Sequence, residues 1–205
     1  MPLTAIAIAD SVRVNVQATE SQLSPENMLN FVNQAIDMGK VDNLYQIVSD
    51  ETLTELADTY EYALTGGVLA ELKYIYSIHE QDDDDTAIFR LLIPRNYWTL
   101  RYASVPQIYF YDHLGWSPVA DKVLRITGGK TMARISDPDD TVYLPEAYVI
   151  WRATAFAHSA LAAGAGPRAQ WHERQIPIAN QWAEVARIGA TEYRVPPQSY
   201  LVPNR

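Results

Sequence analysis

Pro145-Glu146-Ala147-Tyr148-Val149-Ile150-Trp151-Arg152-Ala153-Thr154-Ala155-Phe156-Ala157-His158-Ser159-Ala160-Leu161 is apolar on nearly every side when wound as an α-helix. A surface helix carries a single apolar stripe, so a helix of this kind is covered from several directions. Its alanines let neighbouring backbones come close. The cover comes either from its own domain or from a neighbouring subunit, and the residues leave both readings open. Gly164-Ala165-Gly166-Pro167 then turns the chain into a second helical segment that reaches Ile188. Leu144 to Ile188 therefore reads as a C-terminal helical hairpin. Pro177 interrupts its second arm; a proline inside a helix removes one backbone bond and costs about 3 kcal/mol, which predicts a kink or a break.

Upstream, Ser24-Pro25-Glu26 is a helix start, with serine as N-cap, proline at the first helical position and an acid in the first turn. Leu29, Val32 and Ile36 share a face, and Gly39 is the expected stop. An earlier helix over Thr4 to Gln17 competes with the strand-like alternation of Val12, Val14 and Val16. From Leu44 to Tyr143 the period becomes two. Strands are expected at Tyr60 to Leu64, Glu71 to His79, Thr86 to Ile93, Gln107 to Tyr111, Lys122 to Thr127 and Thr131 to Ile135. Thr127-Gly128-Gly129-Lys130 reads as a tight hairpin, and Pro94 to Trp98 as a short helical turn.

The fold class is α+β: N-terminal helices, a central antiparallel sheet or small sandwich, a C-terminal helical hairpin and an extended tail. One domain is expected over residues 1–188, helical in 1–40 and 144–188 and β-rich in 44–143. An extended arm follows over 189–205. The arm holds Pro196, Pro197 and Pro203 with Tyr193, Tyr200 and Leu201. Proline pairs favour an extended chain, and apolar residues on such a tail want a partner or a place on their own domain.

The 205 residues are enough to bury a core without staples. With no cysteine, disulfides, thiol nucleophiles and thiolate metal sites are excluded. The net charge of −9 argues against a broad phosphate-binding surface. It fits ordinary solubility, and equally a conduit through which nucleic acid passes without sticking. No signal peptide is read at the N-terminus. Leu144 to Ala163 has the length of a membrane span, but Glu146, Arg152 and His158 would be costly in lipid, so no membrane role is expected. Assembly in the cytoplasm is the default.

Chemistry finds little support. Gly129-Lys130-Thr131 imitates the end of a phosphate-binding loop, yet the earlier glycine would fall at Leu124 and the context is strand-turn-strand. Asp82-Asp83-Asp84-Asp85 lacks the alternation, glycine and closing glutamate of a calcium loop and reads as a solvated hairpin tip. Asp137-Pro138-Asp139-Asp140 is a turn of the same kind. His79, His113, His158 and His172 show no metal-ligand spacing, and no serine sits in a nucleophile elbow. His158 reads as a helix-packing histidine. No catalytic residue, cofactor or metal is assigned. The aromatics, dense at Tyr97-Trp98, Tyr109-Phe110-Tyr111 and Trp116, lack the basic groove of a single-strand binder and read as core and interface packing.

The order of these features resembles that of tailed-bacteriophage head-to-tail adaptor (connector) proteins of the virion neck. The residues that carry the likeness are the Ser24-Pro25 helix closing near Asn33-Gln34-Ala35, then Tyr60-Glu61-Tyr62-Ala63-Leu64 and Glu71-Leu72-Lys73-Tyr74-Ile75. They continue with Pro94 to Trp98, Val105-Pro106-Gln107-Ile108-Tyr109 and Thr141-Val142-Tyr143-Leu144-Pro145 entering the Ala-rich helix, and end with Arg168-Ala169 opening the next. The chain departs from the family pattern at the Tyr60 strand, at Pro177 and in the acidic loop.

The resemblance implies a non-enzymatic virion structural protein that forms a homo-oligomeric, dodecameric ring. Portal protein would lie above it and a tail or other neck protein below, with DNA passing unbound through the channel. A ring repeats a heterologous contact, so each subunit needs two different patches. The Tyr148 to Leu161 helix would supply one, through Tyr148, Trp151 and Phe156. The tail would reach the portal through Tyr193, Pro196, Pro197, Tyr200 and Leu201. Two rival readings are a tail-completion protein that binds the tail tube, and a monomeric β-sandwich that binds a carbohydrate or other small ligand.

Overall fold

The computed structural model describes residues 2–83, 85–101, 104–164 and 166–190. In chain order they form α1 (Ala5–Val16), α2 (Pro25–Val41), β1 (Gln46–Thr54), β2 (Glu61–Ala63), β3 (Leu72–Gln81), β4 (Phe89–Leu92), β5 (Trp98–Arg101), β6 (Gln107–Phe110), β7 (Val123–Lys130), α3 (Glu146–Ala163) and α4 (Ala169–Gly189). The fold class is α+β, with helices at both ends and antiparallel sheets between. The chain divides into two compact units. One joins Met1–Gln46 to the sequence from Met132 onward, and the other is Ile47–Thr131.

In the helical unit, Ser24 caps α2 by accepting a hydrogen bond from the Asn27 N–H at 3.3 Å, with Pro25 behind it as the sequence signals require. Gly39 does not stop α2, which runs on to Val41. A Cβ at Gly39 would sit 2.8 Å from the Leu144 side chain, so this glycine admits a neighbour instead of ending a helix. The valine alternation in α1 loses to helix, with Val12 and Val16 buried and Val14 exposed. The core of this unit gathers Ile8, Val12, Met28, Val32, Ile36, Tyr148, Val149 and Ala153.

Thr131 to Ile135 is not a strand. Ile135 instead donates its N–H to Asn33 Oδ1 at 2.9 Å and accepts from Asn33 Nδ2 at 3.0 Å. One side-chain amide thus stands in for a paired strand. Asp137 to Asp140 forms the expected turn, closed by Asp140 N–H to Asp137 C=O at 3.0 Å.

In the β unit a four-stranded sheet of order β1-β7-β3-β4 and a three-stranded sheet of order β2-β6-β5 share one apolar cluster. Ile75, Ile78, Leu124 and Ile126 come from the first sheet, and Tyr62, Trp98, Ile108 and Phe110 from the second. β1 and β5 were not among the expected strands. The Gly128-Gly129 hairpin reading is overturned, because β7 runs straight through both residues. A Cβ at Gly128 would meet the Tyr74 carbonyl oxygen at 2.3 Å, and one at Gly129 the Tyr74 ring at 2.2 Å. The glycines make room for Tyr74 on β3. Asp82, Asp83 and Asp85 lie in the connection from β3 to β4, as a hairpin tip should.

Candidate functional site

The hairpin of α3 and α4 is built on Asp42, the residue after α2. Tyr148 donates its hydroxyl to Asp42 Oδ2 at 2.6 Å, and Arg152 donates to the same oxygen at 3.1 Å. Arg152 also reaches Asn180 Oδ1 at 2.9 Å, which links α3 to α4. Burial raises the pKa of the Tyr148 phenol, and its hydrogen bond to Asp42 adds to the rise. The phenol therefore remains a donor.

Tyr148 was expected to face a partner. It is 0% exposed, packed among residues of its own unit, and offers no outer surface. The expectation failed because α3 is covered by α1, α2 and α4 of the same unit. Near its middle, Asn15 of α1 donates to the Thr154 hydroxyl at 3.3 Å. Phe156 is half-buried against the same core. Trp151 is half-buried and stacks on Trp182 of α4, with ring centroids 6.1 Å apart at 26°.

The open apolar surface is on α4, where the sequence reading did not place it. Ile178, Trp182, Val185 and Ile188 are 45%, 51%, 53% and 58% exposed. Their spacing of four, three and three puts them on one stripe of the helix. The opposite side of α4, with Ala179 and Ala183, is buried. The expected break at Pro177 does not occur, since α4 is helical on both sides of it. Pro177 and Glu173 are both exposed, so the missing backbone bond falls on a part of the helix that water can reach. The period of α4 carried the signal for the stripe, but an apolar residue on a helix does not declare which side its own unit will cover. The tail residues Tyr193, Pro196, Pro197, Tyr200 and Leu201 lie outside the described residues.

Further along the hairpin, His158 and His172 are both buried and meet Nδ1 to Nδ1 at 2.9 Å. One ring must donate and the other accept, so the accepting ring is neutral, and burial disfavours a charge on either. Burial, with the neighbouring His172 next in weight, pulls the His158 pKa down to about 4. His172 is lowered by burial and by the Arg168 charge. Trp171 closes over His158 edge to face, with centroids 5.5 Å apart. The packing role read for His158 holds, but its partner was missed. The two histidines stand at equal distances along the chain from the Gly164–Gly166 turn, which was the available clue.

A shallow groove of about 400 Å³ in the same unit is lined by Met132, Arg134, Asp139, Asp140 and Tyr143, among others. Its Arg134 is held by Asp37 at 2.8 Å. Among the described residues no three His, Cys, Asp or Glu side chains are grouped to hold a metal ion. No described helix is long and apolar enough to cross a membrane. Comparison with known proteins finds no family model and no curated protein that matches the chain.

Proposed function

We propose that this chain is a non-enzymatic structural protein of a virion neck, a head-to-tail adaptor whose copies form a ring between portal and tail. The observation that carries the reading is the α4 stripe, where Ile178, Trp182, Val185 and Ile188 face solvent while Ala179 and Ala183 on the other side of the helix are buried. Tryptophan is prominent where protein partners bind most strongly, and the ring of Trp182 already rests on Trp151, so the pair enters a contact with little ordering cost. In a ring the stripe is one of two different patches, and rotation brings it against the second patch of the next copy. The net charge of −9 suits a channel wall that DNA slides past. The tail from Tyr193 to Leu201 is the portal anchor in this reading, and proline at 196 and 197 lowers the cost of its docking.

The test is to mix the purified chain with portal protein and examine the product by electron microscopy. A stacked ring on the portal is expected; its absence under every assembly condition removes the proposal. Deleting Val195 to Arg205 should leave the fold intact and weaken portal attachment. Unchanged affinity of the truncated chain would place the anchor elsewhere.

A further inference from the structure

Two buried carboxylates fasten the segment from Trp116 to Lys122 in the β unit. Glu80, on β3 and 3% exposed, accepts from Trp116 Nε1 at 2.9 Å and from Lys122 Nζ at 2.7 Å. Glu55, just beyond β1, is 0% exposed. Its Oε2 accepts from the Val119 N–H at 2.7 Å, while its Oε1 is buried without a hydrogen-bond partner among the described residues. The main chain of Glu55 grips the same segment. Its N–H donates to the Lys122 carbonyl at 2.7 Å, and its carbonyl accepts from the Asp121 N–H at 3.2 Å.

The charges around Glu55 do not balance. β3 presents the Glu80 carboxylate, and the segment presents Lys122. That ammonium is already committed to Glu80 and to Asp83, the latter at 2.9 Å. β2 presents Tyr62, whose hydroxyl is engaged with the main chain of Leu56, and Tyr60 lies beside Tyr62. None of these offers a hydrogen bond to Glu55 Oε1. A buried carboxylate with an unpaired oxygen and a second carboxylate nearby gains by holding a proton.

We propose that the Glu55 carboxyl is a proton-operated latch on the Trp116 to Lys122 segment. Protonated, it lets the segment stay seated over an uncharged group, although the Val119 N–H binds the ionised carboxylate more strongly. Ionised, it adds a second buried negative charge beside Glu80 and loosens the seat. The titration supports this geometry. Burial raises Glu55 from 4.5 to about 7, the Val119 N–H opposes, Glu80 adds to the rise and Lys122 opposes. Because the folded value is raised, the seated form is fully favoured below the ordinary carboxyl range. It loses that advantage as pH rises through about 7. The latch is independent of ring assembly.

The experiment uses the full chain labelled with 13C at its carboxyl groups. The Glu55 side-chain signal, assigned through its bonded neighbours, is followed by NMR from about pH 4 to about pH 9. A midpoint near 7 is expected, roughly 300-fold weaker acidity than an ordinary glutamate. An ordinary midpoint overturns the proposal. Amide exchange at Val119 is the second readout. Its protection, corrected for the intrinsic pH dependence of exchange, should fall through the same midpoint in the native chain and stay level in Glu55→Gln. A level profile in the native chain, or one that falls equally in the variant, refutes the latch, and the native titration stands even if the variant fails to fold.

Discussion

Acidification should unfasten the helical hairpin at the His158–His172 contact, and the size of the effect follows from its geometry. The two rings share one hydrogen across 2.9 Å inside the α3–α4 packing, so a proton added to His158 is both desolvated and set beside a second imidazole. The unfolded chain takes that proton at the ordinary value of 6.5, and the folded chain only at about 4. The folded value is depressed, so the contribution to stability is complete above 6.5 and is lost as pH falls towards 4. At 1.36 kcal/mol per unit, the loss is about 3 kcal/mol.

The perturbation is His158→Phe, which keeps a ring against Trp171 but cannot be charged. At neutral pH the variant should be about 1–3 kcal/mol less stable than the native chain, because a buried nitrogen of His172 loses its partner. On acidification its stability should fall by less. His172 and the carboxylates still titrate in both proteins and set the common background. Urea unfolding followed by circular dichroism at a series of pH values gives both slopes. Equal acid slopes would refute the reasoning, since His158 could then not be the group that the folded state keeps neutral.

Tyr148→Phe removes the hydroxyl from Asp42 while Arg152 remains, and should lower stability by about 1–2 kcal/mol in urea unfolding. Trp182→Ser should move the urea midpoint less than Tyr148→Phe does, yet abolish the ring on portal seen by electron microscopy. An unchanged ring would take the α4 stripe out of the contact. Gly128→Ala should cost more than Gly129→Ala, within the usual 1–3 kcal/mol of overpacking. The first drives a methyl into the Tyr74 main chain, whereas the second meets a ring that can swing. A small and equal loss of thermal stability at both would argue that Tyr74 is not what these glycines accommodate.

The parts of the fold that were legible in the sequence rest on local chemistry. Ser24, Pro25 and Glu26 announce α2 because capping involves only the first turn. The 82–85 acids mark a hairpin tip because like charges avoid a buried edge. Misreadings came where one residue type answers two demands. A Gly-Gly pair serves a tight turn, and it serves equally a strand pressed against Tyr74, and nothing adjacent distinguishes the two. Thr131 to Ile135 has the composition of a strand, but the main-chain hydrogen bonds of Ile135 go to the Asn33 side chain, far away in the sequence. The site fared likewise. An apolar α3 was visible, but whether Tyr148 faces outward depends on three other helices. The stripe on α4 emerges only once Ala179 and Ala183 are known to be the covered side.

The helical unit is discontinuous, opening with Met1–Gln46 and resuming at Met132, with Ile47–Thr131 inserted between. On the ribosome this arrangement sets an order of events. The inserted β unit is complete once Thr131 has emerged, whereas α1 and α2 must wait for α3 to be translated before their apolar sides are closed. At about 5–20 residues per second the wait from the end of α2 to the end of α3 lasts about 6–24 s. During that interval the nascent chain leaves Ile8, Val12, Val32 and Ile36 without the cover of α3, and a holding chaperone would find its natural target there.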